Sequence, residues 1–192
     1  MLRLAVLFAA GSLCFMAQNV SNPSAVRYTA DGQLILPGDY REWVFLSSGL
    51  GMTYQAMSGG GHEPAFTNVF VNPSAYRSFL KTGTWPDQTM LVLEVRASAN
   101  KGSINKGGSY QSGVLAVEGE VKDRARFPGN GWAFFAFGKS SSGKILARPP
   151  RGDRESEDCY SCHLEHGAVD NTFVQFYPVL LEIARQKFTL RH

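Results

Sequence analysis

Cysteine, methionine and charge are all scarce in this 192-residue sequence: three cysteines, five methionines, and 18% charged residues. The formal net charge is only +3. With no basic run, that balance argues against a nucleic-acid partner. The apolar run near the start, Leu4 to Ala10, falls short of the roughly 20 residues that span a bilayer. No internal repeat, long linker or low-complexity block is present. What remains is a chain that is 44% hydrophobic and long enough to bury a sizeable core as one globular domain.

Arg3 followed by that short apolar run reads as the n-region and h-region of an export signal. The expected signal covers residues 1–20, and the folded domain covers 26–188. This places the mature protein in the periplasm, with no membrane association beyond the signal. A single membrane anchor is the alternative. Cys14 follows Gly-Ser-Leu, whereas a lipid-anchor cysteine normally follows a small residue.

Strands are expected at 43–48, 66–71, 89–97, 114–121 and 132–137, with LILP (34–37) as a short extended piece. In the stretch 89–97, Leu91, Leu93 and Val95 alternate with Met90, Val92 and Glu94, so the two sets face opposite sides. Residues 72–83 carry a helix signature. Asn72 is placed to cap, Pro73 suits the first position, and Gly83 is placed to stop it. Ala75, Tyr76, Phe79 and Leu80 share its inner face. Residues 98–109 and 49–64 read as loops. The tail 153–187 reads as helical with a break near 167–170. Pro178 opens its last helix, with Val179, Leu180, Ile183 and Ala184 inward. Strands between helical ends predict an α+β fold, an antiparallel sheet with flanking helices.

Loss of the signal removes Cys14 and leaves two cysteines, Cys159 and Cys162. An exported chain meets an oxidising compartment, so the pair needs a structural, redox or cofactor role. Cys159-Tyr160-Ser161-Cys162-His163 is C-x-x-C-H, the spacing of c-type haem attachment. The two thiols add to the haem vinyl groups, and His163 is placed to ligate the iron. A redox disulfide is an alternative, although such motifs usually open a helix within a βαβ unit. A zinc site would need four ligands, with His166 joining Cys159, Cys162 and His163 at cramped spacing.

After the signal, methionine occurs only at 52, 57 and 90, and none follows the motif. An axial methionine of the electron-carrier type normally lies downstream. His62 and His166 are the remaining candidates for a sixth ligand. The expected iron is therefore five-coordinate, with an open side for small ligands.

Several stretches in order resemble the cytochrome P-460 / cytochrome c′-beta family: LPGDYREWVF (36–45), FVNPSAYRSFLKTGTWPD (70–87), VEGEVKDRARF (117–127), GNGWAFFAF (129–137) and CYSCH…TFVQFYPVL (159–180). The resemblance implies a mostly antiparallel β fold, a homodimer, one covalent haem c with an open distal face, and haem close to the C-terminal helix. P-460 members oxidise hydroxylamine and carry a lysine crosslinked to the haem, whereas c′-beta members lack the crosslink and bind nitric oxide. The resemblance places Leu93 at the crosslinking position and Glu118 at that of a distal proton-relaying carboxylate. Lys101 and Lys106 do not occupy the crosslinking position. Arg126 matches a family arginine suited to a haem propionate through its planar fork. Arg41 and Trp43 also match, without a role beyond packing. Trp132, Phe134 and Phe66 are candidates for an apolar wall beside Leu93.

Three functions follow as expectations: a nitric-oxide-binding haem protein, a hydroxylamine oxidase, and a periplasmic electron carrier with a redox partner. Leu93 and the missing downstream methionine favour the first. Glu118 supports the second. The third would need a sixth ligand.

Overall fold

The computed structural model describes residues 26–53, 63–138, 141–147 and 158–191. The expected export signal, Cys14, Met57 and His62 lie outside them. Seven strands form one antiparallel sheet: β1 (Leu34–Ile35), β2 (Val44–Leu50), β3 (Phe66–Val71), β4 (Thr89–Ala99), β5 (Tyr110–Lys122), β6 (Trp132–Ala136) and β7 (Ser142–Ala147). Their order across the sheet is β1-β7-β6-β5-β4-β3-β2. Among the described residues three α-helices accompany it: α1 (Pro73–Thr82), α2 (Asp158–His166) and α3 (Pro178–Gln186). This is the α+β architecture that the alternating patterns predict, in a single sheet.

The alternation in β4 holds. Leu91 lies in a core cluster with Val71, Phe79, Trp85, Trp132 and Phe134, on the face covered by the helices. Met90 and Val92 lie in a second cluster on the opposite face, with Tyr40, Val121 and Phe135. On that second face Glu94 is 2% exposed. It accepts hydrogen bonds from Tyr40, Arg41 and Arg96, as a buried carboxylate must. Arg41 thus has a defined partner beyond packing.

Helix α1 begins and ends as its sequence predicts. Pro73 stands in the first turn, and Gly83 adopts the left-handed conformation, φ 74°, while donating its N–H to the Phe79 carbonyl. Ala75 and Phe79 are buried. In α3, Leu180 and Ala184 are buried one turn apart and Ile183 packs beside them. Val179, expected inward, is 60% exposed. It stands about 100° around the helix from Leu180 and so leaves the stripe that 180, 183 and 184 share.

Three boundaries differ from expectation because pairing outweighs composition. Strand β4 runs on to Ala99 and β5 starts at Tyr110, since Ser98 pairs with Gln111 and Ala99 with Tyr110. Strand β2 extends to Leu50, opposite Phe66. Strand β7 was not expected at all. Its sequence, SGKILA, has little alternation, and its pairing comes from β6 and β1 on either side.

Candidate haem-binding site

Antiparallel register sets the site. Leu93 pairs with Glu118, Leu91 with Glu120 and Thr89 with Lys122. Across the next interface Glu118 meets Ala136, Glu120 meets Phe134 and Lys122 meets Trp132. Directly paired residues share a face, so three rows stand side by side beneath the helices: Leu93-Glu118-Ala136, Leu91-Glu120-Phe134 and Thr89-Lys122-Trp132. Phe66 pairs with Arg96 and so belongs to the other face with Met90 and Glu94. It forms no part of this wall, whereas Trp132 and Phe134 do.

The C-x-x-C-H segment lies within α2, which rests against β6 and β7. Tyr160 is buried and anchors the helix to the core. Cys159 is exposed, Cys162 is half-buried, and no disulfide joins them. His163 sits between two aromatic rings, Phe134 at 4.4 Å and Phe173 at 4.3 Å between centroids. Its Nδ1–H donates to the Asn171 carbonyl at 2.9 Å. Because a carbonyl only accepts, this bond fixes the tautomer and leaves Nε2 as the lone-pair nitrogen. An imidazole held in this way is the usual donor of an axial metal ligand, so the residues present fit a haem on His163.

Glycine at 167 permits the close approach. A Cβ there would meet the His163 carbonyl oxygen at 2.6 Å, the Asn171 carbonyl carbon at 2.7 Å and the Thr172 nitrogen at 2.8 Å. The end of α2 and the following turn can pack this closely only around a residue with no side chain.

Two carboxylates approach from β5. Glu120 Oε1 lies 3.5 Å from His163 Nδ1. It is buried, and among the described residues this oxygen accepts no hydrogen bond. Burial raises its pKa, and the His163 charge opposes that rise. Burial likewise pushes Glu118 above its ordinary 4.5, again with the His163 charge working the other way. On His163, burial lowers the pKa, but Glu120, the Asn171 carbonyl and Glu118 outweigh it, so the net direction is upward.

The zinc and thioredoxin-like alternatives find no support in this arrangement. Among the described residues, no three of His, Cys, Asp and Glu gather to hold a metal ion. The sheet is antiparallel at every described pairing, so the motif does not open a βαβ helix. Met90 is buried on the far face, Met52 is half exposed, and the His166 side chain is largely exposed. Arg126 stacks its guanidinium 3.9 Å from the Tyr28 ring centroid, next to the second cluster. The structure does not bring it to the sheet face that His163 packs against.

With that geometry in place, the comparison with known families is informative: the cytochrome P460 family model matches residues 37–174. The chain belongs to the cytochrome P460 family. Membership brings a haem cofactor, and with it iron and the binding of small ligands. No curated protein matches the chain. No helix among the described residues is long and apolar enough to cross a membrane.

Within this cytochrome P460 domain, several site residues escaped sequence reasoning. Asn171 and Asp170 lie in no quoted motif, and Lys122 and Trp85 stand inside the resembling stretches 117–127 and 70–87 without an assigned role. Glu120 shares a strand face with Glu118 by period two, and nothing else in the sequence singles it out. The Asp170-Asn171 pair held the one available signal, since Asp and Asn are the side chains most tolerant of left-handed backbone. Both adopt it, at φ 51° and 64°.

Proposed function

We propose that the protein is an exported c-type monohaem cytochrome whose iron is ligated by His163 and left open on its other side to small nitrogen ligands such as nitric oxide. Haem is bonded through thioethers to Cys159 and Cys162. It supplies a ferrous iron that binds neutral diatomics. The observation that carries the reading is the cross-strand pair Leu93 and Glu118. An apolar side chain stands at the position where a P-460 lysine would crosslink, on the face that holds His163. On the same strand face, Leu91 adds a second apolar side chain and no cation. The mature protein acts in the periplasm as a homodimer, with a redox partner that returns the iron to the ferrous state.

Hydroxylamine oxidation is the second reading, and Glu118 favours it. A half-buried carboxyl with an upward-shifted pKa can hold or release a proton beside a reacting nitrogen. The same group gives the first reading a pH signature. Because burial raises the folded-state pKa, the proton leaves only as pH climbs above 4.5. Above that transition a carboxylate faces the ligand and repels its partial negative charge. Nitric oxide is therefore expected to leave the ferrous protein faster as pH rises through the shifted value. In Glu118→Gln the step should vanish. Stopped-flow dissociation across the pH range, with hydroxylamine oxidation assayed in parallel, checks both readings. Flat, identical pH profiles would remove Glu118 from the site. Hydroxylamine turnover well above free haem would favour the second reading over the first.

A further inference from the structure

His163 Nδ1 has two acceptors within reach, a neutral carbonyl on Asn171 at 2.9 Å and, at 3.5 Å, Glu120 Oε1, which accepts no hydrogen bond among the described residues. What holds it to the carbonyl is not local. Asn171 lies in a tight turn closed by the Val169–Thr172 bridge, with Asp170 and Asn171 both in left-handed backbone. Left-handed conformation costs Asp and Asn less than other non-glycine residues, but two in succession still need support from their surroundings.

Enforcement comes from two residues on the sheet side. Lys122, 2% exposed, donates from Nζ to Asp170 Oδ2 at 2.9 Å and to the Trp85 carbonyl at 2.8 Å. Its ammonium also stands 5.6 Å from the Trp132 ring centroid. Trp85 donates its indole N–H to Thr172 Oγ1 at 2.8 Å and its backbone N–H to Asp170 Oδ2 at 3.3 Å. Thr172 in turn donates to the Val169 carbonyl at 2.6 Å. A buried lysine is expensive to desolvate and is retained where its partners matter.

We infer that Lys122 and Trp85 are positioning residues: by clamping the turn 169–172 through Asp170 and Thr172, they decide that His163 donates to the neutral Asn171 carbonyl rather than to Glu120. The choice matters for an axial ligand. A histidine whose outer N–H is shared with a carboxylate is more basic and binds iron more strongly than one bonded to a carbonyl. The clamp therefore keeps His163 a weaker donor and the iron easier to reduce.

This inference rests on haem ligation by His163, and the test separates the two. The iron–histidine stretching frequency and the reduction potential are read at one pH on purified holoprotein. The set comprises wild type, Lys122→Met, Asp170→Asn, Glu120→Gln and the double variant Asp170→Asn/Glu120→Gln, each with covalent haem confirmed by intact mass. Either clamp variant is expected to raise the stretching frequency and lower the potential as His163 turns to Glu120. The double variant is expected to lose that shift. Val121→Ala, a core truncation on the far face, should lower the unfolding midpoint without moving either readout. Should Lys122→Met fail to fold, Asp170→Asn, which keeps side-chain size, carries the test. Unchanged or oppositely shifted readouts in a haem-loaded clamp variant overturn the inference alone. So does a shift that survives in the double variant. Wild type without covalent haem overturns the haem assignment, and the inference with it.

Discussion

Replacing His163 with glycine is expected to abolish the histidine-ligated haem spectrum, and added imidazole is expected to restore it. The argument is geometric. The ring lies between Phe134 and Phe173, and its Nδ1 is committed to the Asn171 carbonyl. Only Nε2 is left to ligate the iron, and no second residue on this face duplicates it: the other described histidine, His166, is largely exposed at the end of α2. Glycine leaves a ring-shaped space walled by two aromatic rings, into which free imidazole fits. Truncation of a partly buried ring also costs stability, about 2 kcal/mol by analogy with other large-to-small changes. Spectra taken with and without imidazole separate that loss from ligation. A His163→Gly protein with an unaltered spectrum would mean that the iron is held elsewhere.

The second large effect is expected at Gly167. Alanine there would drive its Cβ to within 3 Å of three backbone atoms, belonging to His163, Asn171 and Thr172. Backbone cannot rotate out of the way as a flexible side chain does. The end of α2 and the turn must separate, and overpacking of this kind costs about 1–3 kcal/mol. The consequence is larger for the site than for the fold, because the backbone pushed apart includes the Asn171 carbonyl group that accepts from His163 Nδ1. Gly167→Ala is expected to lower the denaturation midpoint and also to alter the ferrous haem spectrum. Chemical denaturation followed by optical spectra checks both. A variant with wild-type stability and spectrum would show that α2 and the turn are not in the tight contact described.

The parts of this fold legible in the sequence are those set by local pattern. Period-two alternation placed Leu91 and Leu93 on one face of β4 and Glu94 on the other. Asn72, Pro73 and Gly83 bounded α1. The C-x-x-C-H motif located α2 and its histidine. What was not legible depends on pairing across the sheet. Phe66 looks like wall material until its register with Arg96 turns it to the far side. Lys122 stands in the charged stretch Glu-Val-Lys-Asp, and it is buried against Asp170, 48 residues later. Val179 is apolar and helical but falls outside the arc that its neighbours bury. Strand β7 pairs with β6 just before it and with the distant β1. Except for Val179, which follows from helix geometry alone, each of these needs a contact with a distant part of the chain.

The central claim is that one haem is bonded to Cys159 and Cys162 and ligated by His163 with its other side open. The most direct measurement combines the intact mass of protein expressed with c-haem maturation and its dithionite-reduced optical spectrum before and after nitric oxide. The account predicts a mass increased by one haem that survives denaturation, and a high-spin ferrous spectrum, without a strongly red-shifted Soret band, that changes on adding nitric oxide. A mass without haem, or a sharp low-spin spectrum indifferent to nitric oxide, would contradict it.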